Sequence, residues 1–406
     1  MNVTDKFLRY VRCDTQSDPT SNTVPSTACQ LQLADMLVGE LHAMGIDNAY
    51  RTAQGYVYAS IPANAEGIHS IGFISHMDVE PVSKGLGVQP IVHKNYDGGN
   101  IELLDDVTLT PEEFPDLLGL VGQDIITSDG TTLLGADDKA GVAEIMQMAQ
   151  TVMQHPEWKH GKIGIAFTPD EEIGRGADFF DVPAFGCEYA YTVDGGTLGE
   201  VGYETFNAAS AVFTCKGVQT HPGDAKGKMK NCLHMIADLI ALFPADERPE
   251  NTSLRQGFYH FEEVRADVKA GYVEMIIRDH DRKKFEERKA FCRECVNTIN
   301  ARYGRKAMQV TIQDSYYNCG DVIAEHFHLV ENAYAAMRSA GVEPYSVALR
   351  GGTDGSRLSY MGLPCPNLCA GGHSCHSVYE FCSVQSLEKI TEILLALVRL
   401  YAEQGV

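Results

Sequence analysis

The sequence predicts an α/β chain with a mostly parallel sheet, interrupted by an inserted α+β block of ferredoxin-like order. Three observations predict it. Short apolar strands alternate with helical patterns through the first half, the rhythm of βαβ units. Near residue 207 that rhythm gives way to β-α-β-β-α-β, the split βαβ arrangement, and it returns near residue 321. Carboxylates stand directly after successive apolar segments of the alternating part, where parallel sheets bind ligands.

The elements follow in order. Helical spacing covers 27–44, with Leu31, Leu33, Leu37 and Leu41 among its apolar positions. A strand is expected at 70–75, a helix at 141–153, and strands at 163–168 and 189–193. In the insertion, strands are expected at 208–215, 257–264, 272–278 and 307–314, with helices at 231–243 and 282–300. The last part reads as a helix ending near 339, strands near 345–349 and 367–370, and a helix over 384–401. The acidic stretch 97–121 reads as an irregular excursion with a hairpin. A chain of 406 residues exceeds what one core usually holds. The expected domains are therefore 1–206 with 321–406, and 207–320.

Composition narrows the function. Asp and Glu number 55 against 33 Lys and Arg, a formal net charge of −22. Nucleic-acid binding needs a basic face, so nucleic acid is not an expected partner. Apolar runs are short and interrupted, so no membrane span is expected. The start, MNVTDKFLRYVRCDTQS, is charged throughout and lacks the apolar core of a secretory leader. Of 12 cysteines, Cys292 and Cys295 form a C-x-x-C inside a helical pattern, and one such pair is weak evidence for zinc. Reduced thiols in the cytoplasm are the expectation.

The chemistry collects at segment ends. The strand at 70–75 runs into His76-Met77-Asp78, and Leu133-Leu134 runs towards Asp137-Asp138. The strand at 163–168 leads to Asp170-Glu171-Glu172, and 189–193 leads to Asp194-Gly195-Gly196. Each alone has a plain structural explanation. His76 and Asp78 share one face of an extended segment. Asp137-Asp138 suits a helix N-terminus. Glu171-Glu172 suits a solvated face, and Asp194-Gly195-Gly196 a turn. Together at one sheet edge, these acids repel when partly buried. One or two divalent cations remove the conflict, and zinc accepts both imidazole nitrogen and carboxylate oxygen.

The segments Ser75-His76-Met77-Asp78, Gly135-Ala136-Asp137-Asp138-Lys139-Ala140-Gly141, Pro169-Asp170-Glu171-Glu172-Ile173-Gly174 and Val193-Asp194-Gly195-Gly196 resemble the metal motifs of the co-catalytic zinc peptidases of family M20. The likeness is closer to the tripeptide aminopeptidases of that family than to its members at large. It extends through 122–141, Thr220-His221-Pro222-Gly223, Asp314 to Asn318, Arg350 to Arg357 and Gly371 to His376, over nearly the whole chain.

The resemblance implies two Zn2+ ions. His76, Asp137 and Asp194 would hold one, and Asp137, Glu172 and His376 the other. Asp137 would bridge them, with a cis peptide bond to Asp138. Asp78 would fix the tautomer of His76 from behind. Glu171 would be the general base, taking a proton from a water that bridges the metals and passing it to the leaving amine. His221, on a lid-like inserted domain, would stabilise the oxyanion. Arg350 would grip the peptide's terminal carboxylate and so set chain length. Family members often pair through the lid, which sets the expectation of a homodimer.

Some positions stay open. Asp354 is either structural or in contact with substrate. Both His373 and His376 can reach the site, and the family pattern favours His376 because Glu380-Phe381 follows it. Cys375 departs from that pattern and is a candidate soft ligand. The expected reaction is release of the N-terminal residue from short peptides, tripeptides above all. No covalent enzyme intermediate is expected, since no Ser or Cys nucleophile is paired with a base. The alternatives are a dipeptidase or N-acyl amino acid deacylase of the same family, or a peptide-binding scaffold without catalysis. Against the last, every ligand position and Glu171 are present.

Overall fold

Strands Ile71–His76 and Ile163–Thr168 are buried along their full length, which is why they read as unbroken apolar runs rather than as alternation. They pair in parallel inside an eight-stranded sheet of the computed structural model, which describes residues 1–104 and 106–405. Tyr189–Gly195 and Asn367–Cys369 extend the parallel part. Val57–Ile61 and Tyr50–Arg51 on one side and Glu200–Glu204 on the other pair antiparallel, and Tyr345–Ala348 lies beyond Glu200–Glu204 at the far edge. The sheet is mixed, and its parallel centre is where the acidic segments emerge.

The helix Ala136–Gln154 packs on Ile71–His76 and Tyr189–Gly195, and Val3–Tyr10 and Val384–Gln404 pack on it in turn. Its close seating depends on Gly141. A Cβ there would stand 1.9 Å from Val193 O and 2.6 Å from Ser75 Oγ. The helix begins five residues earlier than its apolar pattern predicts, with Asp137 and Asp138 in non-helical conformation inside its first turn. The Asp137–Asp138 peptide bond is cis.

Leu133-Leu134 looks like a strand in the sequence and is a loop in the structure. Both leucines are buried, but no ladder holds them: Leu133 N bonds to Lys84 O and Leu134 N to the Glu380 side chain. A second, four-stranded sheet escapes the sequence reading. It runs Gly372–His373, Phe381–Ser383, Ile125–Thr127, Ile91–His93, all antiparallel. Strands of two or three residues are too short for a period of two to show. The 97–121 excursion pairs Ile101–Glu102 with Thr108–Leu109, and Asp105 lies outside the described residues. Its Leu109, Leu117 and Leu120 pack on Ile125 and Phe381.

These elements belong to a unit of Met1–Tyr203, Asp321–Val347 and Thr353–Val406. The second unit is Glu204–Gly320 with Ala348–Gly352. Residues 348–352, expected in the first domain, join the second because Arg350 bonds to the main chain of Leu254 and Gln256, and Gly351 O accepts from Phe206 N. The second unit has the strand order Phe258–Ala266, Ala270–Asp279, Asn207–Lys216, Met308–Tyr316, fully antiparallel. Helices Cys232–Leu242 and Arg282–Tyr303 supply Met235, Leu239, Phe285 and Ile299 to its core. Cys292 and Cys295 point into that core, and burial pushes their thiols up to about 12 and about 11. They are packing residues, not ligands. Among the described residues, no helix is long and apolar enough to cross a membrane.

Gly141→Ala is expected to lower the unfolding free energy by about 1–3 kcal/mol, because the helix must lift off the strand or strain its turn. Denaturant unfolding of the metal-free protein checks this. Unchanged stability would show that the helix seats without the glycine.

Candidate metal centre

His76 ends its strand with a side chain only 2% exposed. Its Nε2 lies 2.9 Å from Asp137 Oδ1 and 3.3 Å from Asp194 Oδ1. The other oxygen of Asp137, Oδ2, lies 3.1 Å from His376 Nε2, which is 3.0 Å from Glu172 Oε1. Two donor groups result, His76–Asp137–Asp194 and Asp137–Glu172–His376. Within each, the ligand atoms lie within 4.8 Å of one another. Asp137 serves both groups, with a different oxygen towards each histidine.

The donor chemistry fits cations. His76 Nδ1 lies 3.1 Å from the Asp78 main-chain carbonyl, a contact in which Nδ1–H donates. In the neutral ring, Nε2 then carries a bare lone pair, aimed at two carboxylates. That is repulsive unless a cation, or a proton, stands between them. Glu172 Oε1 is buried and lacks hydrogen-bond geometry despite its closeness to His376.

Without a dication, protons must reconcile the charges. Burial pulls the His76 imidazole down, but Asp194 and Asp137 outweigh it and hold it well above its usual value. The hydrogen bond to Asp137 and the ion-pair contact with Glu172 raise His376 to about 11. Burial raises Glu172 to about 7, and burial with the charge of Asp194 pushes Glu171 well above the carboxylate range. Asp137 alone is held below its usual value, because hydrogen bonds to His376 and His76 overcome its burial.

Other acids brace the ligand-bearing segments. Asp78 accepts from Glu171 N at 3.0 Å and Glu172 N at 3.1 Å. Its carboxylate Oδ1 stands 3.4 Å from His76 Nδ1, so the tautomer is held by the Asp78 carbonyl and the carboxylate steadies the glutamates. Asp138 accepts from His76 N at 3.2 Å and pairs with Ser75 Oγ. Asp170, at φ 59°, accepts from Ser26 N and Gln30 Nε2, both at 2.7 Å. Glu380 accepts from Leu134 N, Gly135 N and Asp137 N. The sequence reading misses Glu380 as a brace. Its only signal is its place four residues after His376.

His373 turns away, stacking on Phe381 and pairing with Asp116 at 3.2 Å. Cys375 lines a cavity of about 130 Å3 with Asp137, Asp138 and Asp194, but it belongs to neither donor group. Asp354 is buried, with its carboxyl raised to about 7 by burial. A Cβ at Gly176 would meet Asp354 Oδ1 at 2.1 Å, so that glycine makes room for it.

In the second unit, His221 is exposed, and its Nδ1 accepts from Gly223 N at 3.2 Å. The partners of Arg350 are Leu254 O at 2.9 Å, Gln256 O at 3.0 Å, Thr252 Oγ1 at 2.8 Å and the faces of Phe206 and Phe258. None is an acid.

A parallel sheet edge carrying two histidines and shared carboxylates is the arrangement of a metal-dependent hydrolase. The chain belongs to peptidase family M20/M25/M40, whose family model matches residues 132–400. It is 46% identical over 403 residues to a peptidase T from Fusobacterium nucleatum, covering 98% of each chain. A solved aminopeptidase from Bacillus cereus shares the fold, with a TM-score of 0.78 at 23% identity over 99% of this chain and 98% of that one. So does a Bacillus subtilis protein described as a dinuclear metal binding peptidase of family M20, with a TM-score of 0.66 at 13% identity over 99% and 98%.

The shifted groups set a pH dependence for the metal-free protein. Glu172, Asp354 and Glu380 are raised to about 7. Between the ordinary carboxylate range and there, the folded chain holds protons that the unfolded chain has released, so stability falls as pH rises. His376, raised to about 11, acts in the same direction above its usual value. The thermal midpoint of the stripped protein is therefore expected to fall from about pH 5 to about pH 9. The gain from an added divalent ion should grow over that range, since ligands must shed protons to bind it. A metal-free midpoint that rises with pH would contradict this.

Proposed function

We propose that the chain is an aminopeptidase that releases the N-terminal residue of tripeptides at a centre of two Zn2+ ions. The observation that carries this reading is Asp137, which offers one oxygen to each of two histidine-containing donor groups. The family membership and the full-length likeness to a peptidase T support the substrate class. Bound there, two such ions would polarise the scissile carbonyl and acidify the attacking water.

His76 and Asp194 complete one position and Glu172 and His376 the other, with Asp137 common to both. Glu171 stays outside both donor groups, while its main-chain N–H is tied to Asp78. Its carboxylate takes a proton from the attacking water and returns it to the amide nitrogen. The new C–O bond forms first and leaves a tetrahedral oxyanion, whose collapse breaks the C–N bond and releases the N-terminal amino acid and a shortened peptide. His221 accepts at Nδ1, so its Nε2–H is the donor offered to the oxyanion. Arg350, with no acid among its partners, receives the terminal carboxylate.

Free cysteines throughout suit a reducing cytoplasm. The second unit's sheet has edges at Phe258–Ala266 and Met308–Tyr316, and we read this unit as the one through which a homodimer forms.

Glu171→Ala is expected to bind metal as the parent does and to lose about 10²–10⁴-fold in kcat. Retained turnover would remove Glu171 as the base. With a series of di-, tri- and tetrapeptides, kcat/KM should peak at three residues. Arg350→Ala should raise KM for the free tripeptide and leave its C-terminal amide nearly unaffected. Preference for an acylated over a free N-terminus would replace this reading with a deacylase.

A further inference from the structure

Glu380 belongs to neither donor group, yet its carboxylate is 1% exposed and fully engaged. Oε2 accepts from Leu134 N at 2.8 Å and Gly135 N at 2.7 Å, and Oε1 accepts from Asp137 N at 3.0 Å. The segment it grips has no sheet partner and passes through Gly135 at φ 83° before reaching Asp137. Glu380 itself sits on the connection between Gly372–His373 and Phe381–Ser383, the stretch that carries His376. Phe381–Ser383 is laddered to Ile125–Thr127, which leads into the gripped segment. One buried side chain therefore ties the chain bearing His376 to the chain bearing Asp137.

We infer that Glu380 is a positioning residue of the metal centre: it presets the shared carboxylate of Asp137 from the loop that supplies His376. This rests on the two-metal reading above. It has an asymmetric consequence. Asp137 and His376, both tethered through Glu380, belong to the group with Glu172, whereas the group with His76 and Asp194 shares only Asp137. Loss of the grip loosens the first of these positions more than the second. Glu380→Gln is the informative change. It keeps the shape and one oxygen, but turns an amide donor towards N–H groups that need acceptors.

The test uses the full-length protein, stripped and then titrated with Zn2+ against a chelator of known affinity, and separately with Co2+ followed by visible absorption. E380Q is expected to bind two ions, with one step weakened about 10–100-fold and the other moved much less. At saturating metal its kcat should fall while KM for a tripeptide holds. Two dissociation constants equal to the parent's would overturn the inference. So would equal weakening of both steps, which marks general loosening. Hydrogen exchange on the stripped parent gives a check that needs no variant. Amides of Leu134, Gly135 and Asp137 should be protected before metal arrives, and free exchange would overturn the preset carboxylate. A parent that binds no ion sinks the two-metal reading itself; a parent that binds two ions alongside an indistinguishable E380Q sinks only the role of Glu380.

Discussion

The constraint on which the first unit turns is the packing of like charges. Asp137, Glu171, Glu172 and Asp194 converge at one sheet edge, with only two imidazoles for company. Isolated buried carboxylates give up their charge or find a partner. Here the raised values of Glu171, Glu172 and Asp194 describe a site that takes protons when dications are withheld. Metal and proton compete for the same atoms, so affinity, stability and activity are linked through one titration.

A second set of acids solves a different problem. Asp78, Asp138 and Glu380 are buried too, but each offers at least one oxygen to a main-chain N–H group. Each comes from one ligand-bearing segment and grips another: Asp138 holds the His76 segment, Asp78 holds the glutamate pair, and Glu380 holds the Asp137 turn. Loops cannot rely on ladders to fix their geometry. Charge-assisted hydrogen bonds to the main chain, stronger than neutral ones, do that work here. The acidic cluster thus divides by what each carboxylate faces, N–H groups or the open centre.

Much of this was legible in the sequence. Strand Ile163–Thr168 and the order of the second unit follow from unbroken apolar runs and helical spacing. His76 and the acidic clusters that include Asp137, Glu172 and Asp194 follow from their joint occurrence at segment ends, whereas His376 and the choice among neighbouring acids follow only from the family resemblance. What stayed hidden has physical reasons. The small sheet behind the His376 loop uses strands too short to carry a period. The helix Val3–Tyr10 is marked only by its capping box, Asn2 with Asp5, and not by a long apolar stripe. Leu133-Leu134 is apolar like a strand, but it is buried as a loop because Lys84 O accepts from Leu133 N and Glu380, 246 residues away in sequence, accepts from Leu134 N. No local pattern announces a partner that distant. Asp78 shows the same limit: its nearness to His76 was readable, whereas its carboxylate's duty towards Glu171 and Glu172 was not.

The central claim is that Asp137 joins two cations. Anomalous diffraction from crystals grown with Zn2+, recorded on both sides of the zinc edge, tests it most directly. The account predicts two peaks about 3.5–4 Å apart, one beside His76 and Asp194 and one beside Glu172 and His376, with Asp137 reaching both. A lone peak, or ions bound away from Asp137 in fully loaded crystals, would contradict it.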